Sequence, residues 1–133
     1  MSDRQPLRVL VVDDFEPWRH FVSSMILMKP GLQVVGEASD GLEAVQKAVE
    51  LRPDLILMDI GLPTLNGIEA ARQIRKLAPE SKIIFLSQES SAEFVQEAFR
   101  LGACGYIVKT RAESELLTAL ETVISGKKFV SGT

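Results

Sequence analysis

Two acidic positions 45 residues apart are the first candidates for chemistry: Asp13 and Asp14 close the apolar run RVLVVDD, and Asp59 closes DLILMD. If those runs are neighbouring parallel strands, the three carboxylates meet at one sheet edge and form an anionic pocket suited to a hard cation. Ser87 closes IIFLS and Lys109 follows GYIV, so both also stand just after apolar runs. Carboxylates held together repel one another: about 4 Å apart, at an effective dielectric of about 20, a pair costs on the order of 4 kcal/mol. Lys109 supplies one positive group to offset this, and a divalent cation would supply the rest. An oxygen-only ligand set without His or Cys selects Mg²⁺ or a similar hard ion.

The elements that must position these side chains alternate along the chain. Candidate strands are Val9 to Val12, Leu32 to Gly36, Leu55 to Met58, Ile83 to Leu86 and Tyr106 to Val108. Most are continuous apolar runs, which is the pattern of parallel strands covered on both faces. Between them the 3.6-residue period predicts helices over residues 16–29, 40–51, 67–77, 91–101 and 112–125. Pro17 falls in the first turn of the first helix, where its missing N–H costs nothing. Asp40 and Glu43 have the spacing of a capping box, and Pro79 stops the third helix. Five βα units predict an α/β fold: a five-stranded parallel sheet, doubly wound as (βα)5, with the flavodoxin-like strand order 2-1-3-4-5. In such sheets ligands bind beyond the carboxyl ends of the strands, where Asp13, Asp14, Asp59, Ser87 and Lys109 stand. The tail after Gly126, KKFVSGT, is expected to fray.

With 133 residues the chain is sized for one domain, expected to cover residues 1–133 with a core over about 7–126. Apolar residues at 46% and charged residues at 25% are those of a globular protein. No apolar run approaches the ~18 residues of a membrane span, and the N-terminus lacks the features of a signal peptide, so a cytoplasmic location is expected. A net charge of −3 disfavours direct nucleic-acid binding. The single Cys104 has no partner for a disulfide and is read as a small buried residue. His20 has no second ligand nearby and is given no chemical role. Phe94 and Phe99 lie five positions apart, about 140° around a helix, so one of the two is expected at the surface.

Together, VVDDF, LILMDIGLPTLNG, IIFLS and GYIVKT resemble the receiver domain of bacterial two-component response regulators. DGLEAV, NGIEAAR and the final KKFV are similar to receivers attached to LuxR-type helix-turn-helix output domains, although no such output domain is present in this sequence. The resemblance implies a phosphorelay module that takes a phosphoryl group from a sensor histidine kinase on Asp59 and controls a partner or output domain, with transcription regulation as the output. Asp14 and Asp59 would bind Mg²⁺ directly with the backbone carbonyl of Gly61, and Asp13 would bind it through water. Ser87 and Lys109 would contact the phosphoryl oxygens, and Tyr106 would follow the switch by turning inward. The fourth helix, fifth strand and fifth helix would form the face for a homodimer or an output domain.

Two positions depart from the commonest receiver pattern. Thr110 follows Lys109 where many receivers carry proline, which leaves the isomer of that peptide bond open. Ser87 often appears as threonine. Competing functions fit the residues less well. Aspartate phosphatases of the haloacid dehalogenase type are similar in forming an acyl phosphate, but they need a second acid two residues after the nucleophile, where this chain has Gly61. A nucleotide or flavin binder lacks its glycine-rich loop, since DDFEPW follows the first strand. A degenerate receiver is disfavoured because every required side chain is present. No turnover of an external substrate is expected.

Overall fold

The computed structural model describes residues 6–132. In chain order these are β1 (Leu7–Val12), α1 (Glu16–Leu27), β2 (Leu32–Ala38), α2 (Gly41–Leu51), β3 (Leu55–Met58), α3 (Gly67–Leu77), β4 (Lys82–Ser87), α4 (Ala92–Arg100), β5 (Gly105–Val108), α5 (Ala112–Ile124) and β6 (Phe129–Val130), with a 3-10 turn at Lys109–Arg111 joining β5 to α5. All pairings are parallel, in the order β2-β1-β3-β4-β5-β6.

The sheet is covered on both faces, which explains its unbroken apolar strands. Val9, Val11, Leu55, Leu57, Ile84, Leu86 and Ile107 meet α1 and α5. Their neighbours in sequence, Leu10, Val12, Ile56, Met58, Ile83, Phe85 and Tyr106, meet α2, α3 and α4. Alternate side chains of a strand point to opposite faces, so a strand buried on both must be apolar at every position. Full burial of each such aliphatic side chain contributes roughly 1.5–3 kcal/mol.

The helices begin where side chains can satisfy their free N–H groups. Asp40 accepts from the Glu43 N–H at 2.7 Å, and Asn66 accepts from the Glu69 N–H at 3.0 Å. Glu43 returns the favour one residue beyond the expected partner, accepting from the Ser39 N–H at 2.7 Å. Each cap contributes about 1 kcal/mol.

Three readings are corrected. The sheet has six strands rather than five, and the tail expected to fray supplies the sixth. Phe129 and Val130 pair with Gly105 and Tyr106. The Phe129 N–H donates to the Cys104 carbonyl at 3.1 Å and the Ser131 N–H to that of Tyr106 at 2.9 Å. β5 would otherwise present unpaired backbone groups at an open edge, and α5 returns the chain to that edge while Phe129 joins the apolar cluster beneath α5. Finally, Cys104 is half-buried, not buried, because it lies at the edge where β6 joins the sheet.

Two other points are resolved. Phe94 is 38% exposed while Phe99 packs against the core, as their angular separation on the helix requires. The Lys109–Thr110 peptide bond is trans. No helix among the described residues is long and apolar enough to cross a membrane.

Candidate functional site

Strand register brings the chemistry together. Val12 pairs with Met58, Met58 with Phe85, and Ser87 with Val108. Asp13, Asp59, Ser87 and Lys109 therefore leave the sheet side by side. The ladder continues one step past the strands, the Asp59 N–H donating to the Val12 carbonyl at 3.1 Å and the Asp13 N–H to that of Ala38 at 3.0 Å. The four residues, with Asp14 and Gly61, line one cleft of about 870 Å³.

Within the cleft Asp13 and Asp59 are buried, at 2% and 8% exposure, while Asp14 is exposed. One carboxylate oxygen from each lies within 4.8 Å of the other two. The Lys109 ammonium is 2.6 Å from Asp13 Oδ2 and 3.5 Å from Asp59 Oδ2, and it offsets their repulsion. Asp13 also accepts the Phe15 N–H through Oδ1 at 2.9 Å, so both of its oxygens are engaged. Asp59 is less occupied. Burial raises the pKa of its carboxyl above the ordinary value, Lys109 opposes the rise, Asp13 adds to it, and a backbone hydrogen bond from Gly61 works against it. A poorly solvated carboxylate with a loosely held oxygen is a suitable nucleophile, and Lys109 is positioned to receive negative charge brought to it.

The loop after β3 is anchored tightly. The Gly67 N–H donates to the Ile60 carbonyl at 2.7 Å. A Cβ at Gly67 would lie 2.1 Å from the Asp59 carbonyl oxygen, so only glycine lets α3 begin this close to the acidic residue.

Of the residues singled out in the sequence, Asp13, Asp14, Asp59 and Lys109 form the charged cluster, and Ser87 and Gly61 share its cleft. Ser87 is buried and its hydroxyl accepts the Glu89 N–H at 3.1 Å. Tyr106 lies outside the cleft lining, wholly buried, with its hydroxyl donating to the Glu89 carbonyl at 2.8 Å. Burial raises its phenol pKa, and a hydrogen bond with Ser87 opposes the rise. His20 is exposed and stands outside the cleft.

Sequence reasoning missed two contributors on α1. The Lys109 ammonium lies 5.3 Å from the centre of the Trp18 ring, a cation–π contact contributing about 0.5–2 kcal/mol. Arg19 donates to the Asp13 carbonyl at 2.7 Å and to Glu37 at 2.9 Å, tying α1 to β1 and β2. Both residues lie within six positions of Asp13, in the first turn or so of a helix, where a side chain can reach back over a strand end. That proximity was the available signal.

The oxygen donors suit a hard divalent ion. Three carboxylates converge, and among the described residues no sulfur or imidazole donor lines the cleft.

Known proteins share this architecture. The family model of the response regulator receiver domain matches residues 9–121. Response regulator GacA of Pseudomonas viridiflava is 36% identical over 125 residues, covering 94% of this chain and 58% of that protein. Chemotaxis protein CheY of Thermotoga maritima is 43% identical over 116 residues, covering 87% of this chain and 96% of that protein. A solved two-component response regulator of the LuxR family from Aurantimonas sp. SI85-9A1 matches with a TM-score of 0.91 at 34% identity, covering 96% of this chain and 91% of that one. The chain spans about three fifths of the length of the curated relatives GacA and NarL. With its six parallel strands, its acidic cleft and a family match running from β1 into α5, this chain belongs to the response regulator receiver domain family.

Proposed function

We propose that Asp59 is the phosphoryl acceptor of this receiver, taking the group from the phosphohistidine of a sensor histidine kinase. The observation that carries this reading is the placement of one ammonium, Lys109, against two buried carboxylates, Asp13 and Asp59, with Asp14 completing the cluster. An Asp59 carboxylate oxygen forms a bond to phosphorus while the donor's phosphorus–nitrogen bond breaks and its electron pair returns to the imidazole. The product is an acyl phosphate on Asp59. Lys109 pairs with a phosphoryl oxygen as the group arrives, and the Ser87 hydroxyl donates to another.

Mg²⁺ is the assigned cofactor. Asp14, Asp59 and the Gly61 carbonyl would hold it directly, and Asp13 through a water. When bound, it neutralises the charge of the carboxylates and the incoming phosphoryl oxygens, so that two anionic groups can approach. Mg²⁺ at 100 times its dissociation constant should raise stability by about 2.7 kcal/mol if it binds only the folded chain. Thermal melts with Mg²⁺ and with EDTA test this, and coincident midpoints would remove the metal site.

Phosphorylation biases a switch because these contacts exist only with the phosphoryl group in place. The signal passes to an output domain or a second copy through α4, β5 and α5, in the cytoplasm, without direct contact to nucleic acid and without turnover of an external substrate. Residues 1–133 act as one receiver domain, and similarity to the transcriptional regulatory protein DegU of Brevibacillus brevis favours transcription regulation as the output of the whole protein. Incubation with acetyl phosphate and Mg²⁺ should add one phosphoryl group by intact mass. A chain that gains no mass under conditions that label another receiver would refute the reading.

A further inference from the structure

The sixth strand occupies the face through which a receiver of this shape would signal. Lys128, which precedes it, places its ammonium 5.8 Å from the centre of the Phe99 ring on α4. On the other side Ser131 donates to Glu115 of α5 through its hydroxyl, and the Gly132 N–H donates to the same carboxylate at 3.0 Å. Although burial acts the other way, these bonds from Ser131 and Gly132 and the nearby Arg111 charge hold the Glu115 carboxyl below its ordinary pKa. The tail therefore spans from α4 to α5 across β5.

One run of hydrogen bonds joins that tail to the acidic cleft. Ser87, in the cleft, accepts the Glu89 N–H. The Glu89 carbonyl accepts the Tyr106 hydroxyl, and the Tyr106 carbonyl accepts the Ser131 N–H. Ser87 also bonds to the Tyr106 hydroxyl, so the demand of a phosphoryl oxygen for the Ser87 proton is felt directly at Tyr106. These bonds are joined through the saturated Cα of Glu89 and the body of Tyr106, so what links them is position: displacement of Tyr106 moves the carbonyl that holds Ser131. The wholly buried Tyr106 side chain and the docked tail occur together in this structure.

On the footing that Asp59 is the phosphoryl acceptor, we propose that residues 129–132 form a strap whose docking on β5 and phosphoryl uptake at Asp59 stabilise one another, linked through Ser87, Glu89 and Tyr106. Coupling of two events is reciprocal, so each must respond to the other by the same factor. The strap then carries the state of the acidic cleft to the edge of β5, between α4 and α5.

The experiment is amide hydrogen exchange by NMR on the full chain with Mg²⁺, before and after beryllofluoride, an equilibrium mimic of the phosphoryl group. Acetyl phosphate labelling is followed in parallel by intact mass. The Phe129 and Ser131 amides should exchange about fivefold more slowly in the loaded protein, the lower end of ordinary coupling. In the other direction, Ser131→Pro removes the donor to Tyr106 from a tail position that cannot unfold the core. It should speed exchange at Phe129 and weaken beryllofluoride binding about fivefold. Glu115→Gln, which keeps the size of the acceptor but not its charge, should act in the same sense. Added mass with unchanged or faster exchange at the strap overturns the coupling and leaves Asp59 as acceptor. Beryllofluoride affinity that survives Ser131→Pro intact does the same. Absence of both added mass and beryllofluoride binding overturns the acceptor reading, and the coupling with it.

Discussion

Asp59→Asn should abolish phosphoryl uptake, with intact mass after acetyl phosphate and Mg²⁺ remaining that of the unmodified chain. An amide cannot replace a carboxylate as nucleophile, and the loss should exceed about 10³-fold, the scale on which removal of such a group acts. The substitution should leave the fold as stable as before or more stable at neutral pH. Asparagine fills nearly the same volume and can still accept a hydrogen bond, while the charge whose burial dominates the Asp59 environment is gone.

The sign of the pH dependence follows from the same carboxyl. Its folded pKa is raised above the ordinary 3.8, chiefly by burial, so the folded chain holds this proton more tightly than the unfolded chain does. Its contribution to stability is fully present below about 3.8 and is lost as pH rises through the raised value. In EDTA, urea midpoints of wild type and Asp59→Asn should therefore be furthest apart at neutral pH, with the variant higher, and should converge as pH falls. A variant that melts well below wild type at pH 7 would contradict the account of Asp59 as a strained charge. Uptake of the phosphoryl group should fall with decreasing pH from a higher point than an unperturbed aspartate would give.

Gly67→Ala should be strongly damaging for the addition of a single methyl group. The new Cβ would meet the Asp59 carbonyl oxygen at 2.1 Å and the Ile60 Cα at 2.8 Å, and both are backbone atoms that cannot rotate away. Either α3 shifts, breaking the 2.7 Å bond from the Gly67 N–H to Ile60, or the loop carrying Asp59 moves. Overpacking of this kind costs about 3 kcal/mol, or roughly 10 °C in melting temperature. Labelling should slow as well, because the acceptor moves with its loop. Gly61→Ala is the matched control: its Cβ would meet nothing within 4 Å, so the stability change should stay within about 0.5 kcal/mol. Equal melting temperatures for the two variants would show that the loop is not held by this approach.

The first five strands were legible because burial on both faces writes itself as an unbroken apolar run, as in LILM of β3. β2 extends further than expected, to Ala38, because an outer strand mixes polar residues such as Gln33 and Glu37 into its pattern. β6 was not legible. Two apolar residues after KK are too short to establish a period, and their pairing with Gly105 and Tyr106 depends on where α5 returns the chain. The acidic cluster could be inferred because Asp13, Asp14, Asp59 and Lys109 each follow a strand, and a parallel sheet gathers such positions at one edge. Trp18 and Arg19 were hidden because their periodicity is that of an ordinary helix. Whether such a residue turns toward the core or back over a strand end depends on packing angles that no local spacing encodes.

The contact between Trp18 and Lys109 gives the chain a built-in optical probe. Trp18 is the sole tryptophan, and the cation beside it is the one expected to move when an anion arrives at Asp59. Indole emission responds to charge displaced near the ring. Events in the cleft can therefore be followed by fluorescence on the unlabelled, unmodified chain, in real time.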